Sequence, residues 1–549
     1  MNLVSQGQGN LILNGNPTKT FFKTTYAKYT NFGLQKFRID YEGSKSLRLS
    51  EESTFDFKIL RYADLLMDTY ISVNLPDIWS PIIPPSTSDG SWVPYEFQWI
   101  KNIGFKMISK LVINCGNQLL FQCSGDYLLA LMERDFEAKK IELINDMGGN
   151  TNQFNNPGFY GQNKGNYPNA YFTDSAVIPE PSIRGKTIYI PLNVWFVLNS
   201  QMAFPLVSLQ YNILHIYITL KPISQLFTIR DVYDSDNNYP RVAPNFNNYY
   251  MQMYRFLQPP PDTSLGINSY VDKRNIWNTD INLNCTYGFL SNEEQRIFAS
   301  QEQKYLIKQV HENIFYNITG SNKVNLESLG MVTSWMFYFQ RSDANLRNEW
   351  SNYSNFPFLE PPNYISPAPV VGSEPFYYLN STTTSNNGPG VNEDNTLTNY
   401  FITNPYNIIN TKNILVDLAI LFDGEYRENM QPYGVYDYIE KYVRTPKYAR
   451  EGLYCYNFCL DTNIFLKQPN GAINLSRFND VQFEFNTIIP PINLLAQSLN
   501  ICDPVSKEII GVNKPYWNIY QYNYNLFVFE ERYNILTFMS GNCGTLWQY

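Results

Sequence analysis

Apolar and polar side chains alternate with a period of two through much of this chain, a pattern that predicts strands. Phe55, Phe57 and Ile59 fall on one face with Asp56 and Lys58 on the other, and Ile71, Val73 and Leu75 oppose Tyr70, Ser72 and Asn74. Pro76 ends the second of these strands, because proline has no amide to give to a ladder. The clearest stretch lies between Lys186 and Lys221 and contains no Asp, Glu, Lys or Arg. A charge-free run of that length raises the question of a membrane span, which needs about 20 predominantly apolar residues. Asn193, Asn199, Ser200, Gln201, Gln210, Asn212 and His215 interrupt it, and Pro191 and Pro205 divide it. Its last piece alternates, Leu214, Ile216, Ile218 and Leu220 against His215, Tyr217 and Thr219, so the stretch reads as buried strands joined by tight turns.

Further strands are expected over 108–114, 118–122, 281–290, 305–317, 331–340, 452–460, 481–487 and 516–529. Ile414, Val416, Leu418, Ile420 and Phe422 suggest another, alternating with Asp417 and Asp423. Helical pattern is scarce. It occurs over 124–134, and Ser291-Asn-Glu-Glu opens a short helix ending near Ser300 with a capping-box arrangement. Long segments rich in Asn, Pro, Gly and Ser separate these elements, at 77–98, 145–183 and 342–410. Strands and helices do not take turns, so a parallel sheet is not expected. The pattern fits an all-β chain of two tandem antiparallel sandwiches, each of about eight strands, with jelly rolls among the closed solutions.

Composition sharpens this reading in three ways. A chain of 549 residues exceeds what one core normally supports, so two large domains are expected. The division is an arm over 1–25, a first sandwich over 26–225, a linker over 226–280 and a second sandwich over 281–549, with the polar insertion 342–410. The 43 Tyr and 36 Phe favour pleated, half-buried surfaces. A net charge of −8 argues against coating a nucleic-acid duplex, which depends on neutralising phosphates. The seven cysteines are scattered, Cys455 and Cys459 lack zinc-knuckle spacing, and the expected state is reduced, buried thiols. No basic segment followed by an apolar one opens the chain, so folding in a cytoplasm is expected.

Candidate chemistry is thin. The two histidines, His215 and His311, have no neighbouring motif that supplies a triad or a metal set. Glu293 and Glu294 suit the first turn of a helix, and Glu530 and Glu531 beside Arg532 read as a solvated strand end. No catalytic, cofactor-binding or metal-binding residue, and no cofactor, is expected. Sequons occur at Asn284, Asn317, Asn352, Asn380 and Asn474, and the polar insertion makes Asn352 and Asn380 the best-exposed glycan acceptors.

Four ordered motifs resemble one family. They are Gly15-Asn-Pro-Thr-Lys-Thr-Phe-Phe-Lys with Tyr29-Thr-Asn-Phe; Tyr189-Ile-Pro-Leu-Asn-Val-Trp-Phe with Phe204-Pro-Leu-Val-Ser-Leu-Gln-Tyr; Gln468-Pro-Asn-Gly-Ala-Ile-Asn-Leu-Ser-Arg; and Tyr533-Asn-Ile-Leu-Thr-Phe-Met-Ser-Gly. Together they resemble the double jelly-roll major capsid proteins of nucleocytoplasmic large DNA viruses, in the style of the mimivirus-like giant viruses. The departures are the Asn-rich 145–183 loop, the 342–410 insertion, and Leu198-Asn-Ser-Gln where relatives carry an Arg-Asn-Pro-Gly-type turn. The resemblance implies a structural, non-enzymatic protein that homotrimerises into a pseudo-hexagonal capsomer. Such blocks tile the icosahedral outer shell of a virion over an internal membrane, after assembly in the host cytoplasm. Implied partners are other copies of the chain, neighbouring capsomers and minor capsid proteins, with no direct contact to nucleic acid. The arm is expected to reach neighbours beneath the block. The alternatives are a transient assembly scaffold of the same fold, and a carbohydrate-binding or carbohydrate-cleaving sandwich suggested by the aromatic-rich polar loops.

Overall fold

The computed structural model describes residues 7–41, 43, 46–84, 92–172, 178–261, 265–266, 268–360, 377–378, 401–402, 408–494, 496, 499–502, 506–513 and 519–548. Eight strands build the first sandwich: β1 (Phe32–Asp40), β2 (Ser53–Ile59), β3 (Leu65–Leu75), β4 (Ile108–Cys115), β5 (Gln118–Cys123), β6 (Lys186–Pro191), β7 (Leu214–Leu220) and β8 (Asn282–Leu290). One sheet runs β1-β8-β3-β6, with Phe204–Pro205 adding a short rung to β3. The other runs β2-β7-β4-β5, and every pairing is antiparallel. The alternation that predicts β2 and β7 holds throughout both. Leu214, Ile216, Ile218 and Leu220 are fully buried while His215, Tyr217 and Thr219 stay half-buried. Each such inward side chain contributes about 1.5–3 kcal/mol of burial.

The second sandwich contains β9 (Gln303–Ile318), β10 (Ser321–Leu326), β11 (Met331–Arg341), β12 (Leu415–Phe422), β13 (Glu425–Pro432), β14 (Leu453–Asn457), β15 (Val481–Thr487), β16 (Tyr524–Met539) and β17 (Asn542–Thr545). One sheet runs β9-β16-β11-β14 with β17 on the end of β16, and the other runs β10-β15-β12-β13. Helices α1 (Gly125–Asp135), α2 (Ala138–Met147) and α3 (Asn292–Ser300) lie in the connections between strands. Both predicted helices start where their caps sit. Ser124 Oγ accepts the Tyr127 amide at 3.2 Å, and Ser291 Oγ accepts the Glu294 amide at 3.5 Å.

Several expectations need correction. β8, expected to open the second sandwich, lies between β1 and β3 in the first, with Leu283 opposite Ile71 and Cys285 opposite Thr69. The chain returns there because one edge of β3 needs a partner, and β8 supplies it while pairing with β1 on its other side. The stretch expected to be a linker packs tightly. Phe227, Ile229, Met251, Met253 and Phe256 are fully buried, and Phe227–Arg230 pairs with Gln98–Trp99 and Arg241–Val242. β12 does not alternate: Val416 is exposed while Leu418 through Phe422 are all buried, because register shifts interrupt its pairing with β13. α2 is an addition to the expected elements, although Ile141 and Ile144 stand three apart among good helix formers.

The two sandwiches are not strung apart. The core of the first continues onto the outer face of the β9-β16-β11-β14 sheet, through Met336, Tyr338, Leu453 and Phe529, and onto the far end of β16, through Leu536 and Phe538. The inner face of that sheet, with Trp335, Phe337, Phe339, Leu526 and Val528, closes a separate second core. A sheet covered on both faces explains why the interior of β11 is buried without a break.

Candidate functional site: the polar seam between the sandwiches

The face of α1 turned to the second sandwich carries a heavily charged buried contact. Leu128, Leu129, Leu131 and Met132 hold the helix on the first core, which aims Tyr127, Arg134 and Asp135 across the seam. Arg134 is fully buried, and its Nη2 donates to Glu531 Oε1 at 3.0 Å and to Asp135 Oδ2 at 2.7 Å. Tyr127 Oη donates to Glu531 Oε1 at 3.0 Å, and Ser334 Oγ to Glu531 Oε2 at 2.8 Å. Lys308 Nζ stands 3.8 Å from Glu531, and Thr462 Oγ1 donates to Asp135 Oδ1 at 2.9 Å. Two cations thus face two carboxylates with hydrogen bonds on the remaining oxygens. Buried ions are tolerated only under those conditions. Burial pushes the Glu531 carboxyl up, but Arg134 and Lys308 more than offset it and hold it below its ordinary value. Burial likewise works against the Arg134 cation, and Asp135 and Glu531 outweigh it.

Glu530 and Glu531, expected at a solvated strand end, have no exposed surface at all. Neighbours in a strand point to opposite faces, so Glu531 enters the seam while Glu530 enters the second sandwich. There Glu530 accepts from Trp335 Nε1 at 2.7 Å and from Arg532 Nε at 2.6 Å. The signal was available: three charges sit in the middle of β16, flanked on both sides by Leu, Val, Phe and Ile.

Two more contacts extend the seam. Lys106, from the first sandwich, is ion-paired to Asp126 and donates to Tyr353 Oη at 3.2 Å, while Arg450 Nε donates to Glu133 Oε2 at 2.8 Å across the seam. The 348–355 loop then clasps the first sandwich. Asn348 Nδ2 donates to the carbonyls of Ser224 and Phe227, both at 2.8 Å, and Trp350 Nε1 to that of Gln225 at 3.0 Å. This clasp also decides the fate of Asn352. Expected to be an exposed glycan acceptor, that residue is 4 % exposed. Its Nδ2 donates to the Phe356 carbonyl at 2.7 Å and its Oδ1 accepts from Ser354, so the polar loop folds inward on itself. Asn380 lies outside the described residues.

The histidines do not meet in a site. His215 Nδ1 lies 2.9 Å from Asp56 Oδ1 on the outer face of β7, and His311 Nε2 lies 4.0 Å from Glu327 on β9. Among the described residues, no three His, Cys, Asp or Glu side chains converge as a metal set. What the seam does chemically is positional: it holds two sandwiches at one mutual orientation.

Comparison with known proteins agrees with that architecture. A model of the major capsid protein N-terminus matches residues 20–257, and one of the large eukaryotic DNA virus major capsid protein matches residues 294–544. The two models follow one another as the two sandwiches do, and the chain belongs to the major capsid proteins of large eukaryotic DNA viruses. The major capsid protein of Chrysochromulina ericina virus is 26 % identical over 352 residues, 59 % of this chain and 54 % of that protein. Capsid protein 1 of Acanthamoeba polyphaga mimivirus is 25 % identical over 316 residues, 56 % of this chain and 43 % of that protein. The chain therefore spans about half the length of these relatives. The crystal structure of PBCV-1 VP54 superposes with a TM-score of 0.59 at 16 % identity, covering 96 % of this chain and 100 % of that one, which shows the shared double jelly-roll fold.

Proposed function

We propose that the chain is the building block of a large DNA virus outer capsid, acting by self-association and catalysing no reaction. The observation that carries this reading is the buried seam: it makes two similar sandwiches one rigid body. Three such bodies around a threefold axis present six sandwiches, an approximation to sixfold symmetry suited to tiling a shell. We place the division between lobes after Leu290, since β8 completes the first sandwich and α3 leads into the second. The exposed arm supports a role in association. Phe21, Phe22, Tyr26 and Tyr29 are 84–102 % exposed, an unusual cost for four aromatic rings unless another molecule covers them. Their partners would be neighbouring capsomers or minor capsid proteins on the side facing an internal membrane, in virions assembled in the host cytoplasm. Native mass measurement on the purified chain tests the reading: a homotrimer is expected, and a monomer at micromolar concentration contradicts it.

A further inference from the structure

Two buried thiols meet where the C-terminal hairpin docks on the first sandwich. β16 turns through Ser540 and Gly541 into β17, and Cys543 pairs with Phe538 across that turn. The hairpin rests on the first sandwich. The Gly541 carbonyl accepts the Gln210 amide at 2.8 Å, and Asn212 Nδ2 donates to Asn542 Oδ1 at 2.9 Å. A side chain on Gly544 would collide with Gln118, and Gln118 is the cross-strand partner of Cys115. Cys115 and Cys543 are 1 % and 4 % exposed and lie in one continuous core, and each is the strongest influence on the other's thiol. Both are free thiols in this structure.

We propose that Cys115 and Cys543 are a redox-controlled disulfide site, a latch that fastens the end of the second sandwich to the first. Reduced thiols suit folding in a reducing compartment, and the bond forms when the protein meets an oxidising one. The oxidant class is a small disulfide. Cys115 thiolate attacks one sulfur of oxidised glutathione, giving a mixed disulfide and one glutathione thiolate, which takes up a proton. Cys543 then loses its proton and attacks the Cys115 sulfur, expelling the second glutathione. Two protein thiols lose two electrons, and one glutathione disulfide becomes two thiols. Local opening of the hairpin at its exposed turn, where Met539, Ser540 and Asn542 face solvent, gives the oxidant its entry. Cys115 is the thiol that attacks first, because contact with Cys115 and burial push Cys543 well up until the mixed disulfide has consumed the Cys115 thiol. The hydrogen bond from Cys543, helped by nearby Arg61, holds the Cys115 thiol below its ordinary value, whereas burial pushes Cys285 and Cys455 up to about 12. The loop closed by a 115–543 bond includes most of the chain, the case in which a cross-link restricts the unfolded ensemble most.

The test incubates the purified full-length protein with oxidised glutathione, unfolds it, alkylates the remaining thiols and maps the peptides by mass spectrometry. A linked peptide pair containing Cys115 and Cys543 is expected, short of two hydrogens relative to its reduced parts. Oxidised protein should also unfold at a higher temperature than the same protein reduced, a difference absent in Cys543→Ser. Recovery of both residues alkylated, Cys115 joined to another cysteine, or Cys115 left as the glutathione adduct each overturns the proposal.

Discussion

Arg134, in the last turn of α1, and Glu531, in the middle of β16, meet at 3.0 Å with neither side chain exposed. They are separated by almost four hundred positions of sequence, and their contact joins the two sandwiches. A buried pair of this kind adds little net stability over an apolar isostere, but removing one member leaves an uncompensated charge. Glu531→Ala should therefore cost about 3–5 kcal/mol in equilibrium unfolding. The double variant Arg134→Met with Glu531→Leu should recover most of that loss. A double variant as unstable as the single one would contradict this account of the seam.

The seam should also respond to pH. Glu312 on β9 accepts the Ser124 amide at 2.7 Å, and burial pushes its carboxyl up to about 7 from 4.5. Burial does the same to Glu349 in the clasping loop, again to about 7. A carboxyl that binds its proton more tightly when folded stabilises the fold fully below its unfolded value and loses that contribution as pH rises through its folded value. From these groups, stability should fall between about pH 4.5 and pH 7, by on the order of 3 kcal/mol for Glu312. Asp126 and Asp343 do not blur the window, since their carboxyls are held below 3.8. Chemical unfolding followed from about pH 5 to pH 8 checks the slope, and Glu312→Gln should flatten it.

Gly125 sets how closely α1 approaches the first sandwich. A Cβ there would lie 2.6 Å from the Ile108 carbonyl oxygen and nearer still to that of Phe105. Gly125→Ala should push the helix outward and loosen every contact that α1 makes across the seam. Loss of protease resistance in Gly125→Ala, with Gly9→Ala unchanged because nothing lies within 4 Å of its Cβ, is the expected pair of results.

Removing residues 1–25 should leave both sandwiches folded. Gly7 through Phe32 are exposed wherever their side chains are described, so their loss opens no core. The truncated protein is expected to melt like the full chain and to form the same oligomer, yet to fail at forming shells. Electron microscopy of assembly reactions checks this, and normal shells would contradict the role proposed for the arm.

Much of the fold was legible because burial on one face leaves a period of two in the sequence. β2 and β7 read directly from Phe55, Phe57, Ile59 and Leu214 through Leu220 for that reason. Bulged strands give a weaker signal: β12 looks regular from its charges but is interrupted by register shifts. β8 is recognisable as a strand but not as part of the first sandwich, since local pattern carries no information about which distant edge a strand will join. The seam escapes a reading of the sequence because a carboxylate in a strand looks solvent-facing until its cation is known, and Arg134 is remote from Glu531 along the chain. Polar composition misleads at Asn352 too, where side-chain amides serve backbone groups of the same loop instead of water.

The central claim is that two sandwiches locked by this seam form one third of a pseudo-hexagonal block. Cryo-electron microscopy of particles containing this chain tests it most directly. The account predicts threefold blocks with six lobes, each pair of lobes fitted by one copy with Arg134 and Glu531 at the junction. A map in which the chain is absent from the shell, or in which its two sandwiches separate into different blocks, would contradict it.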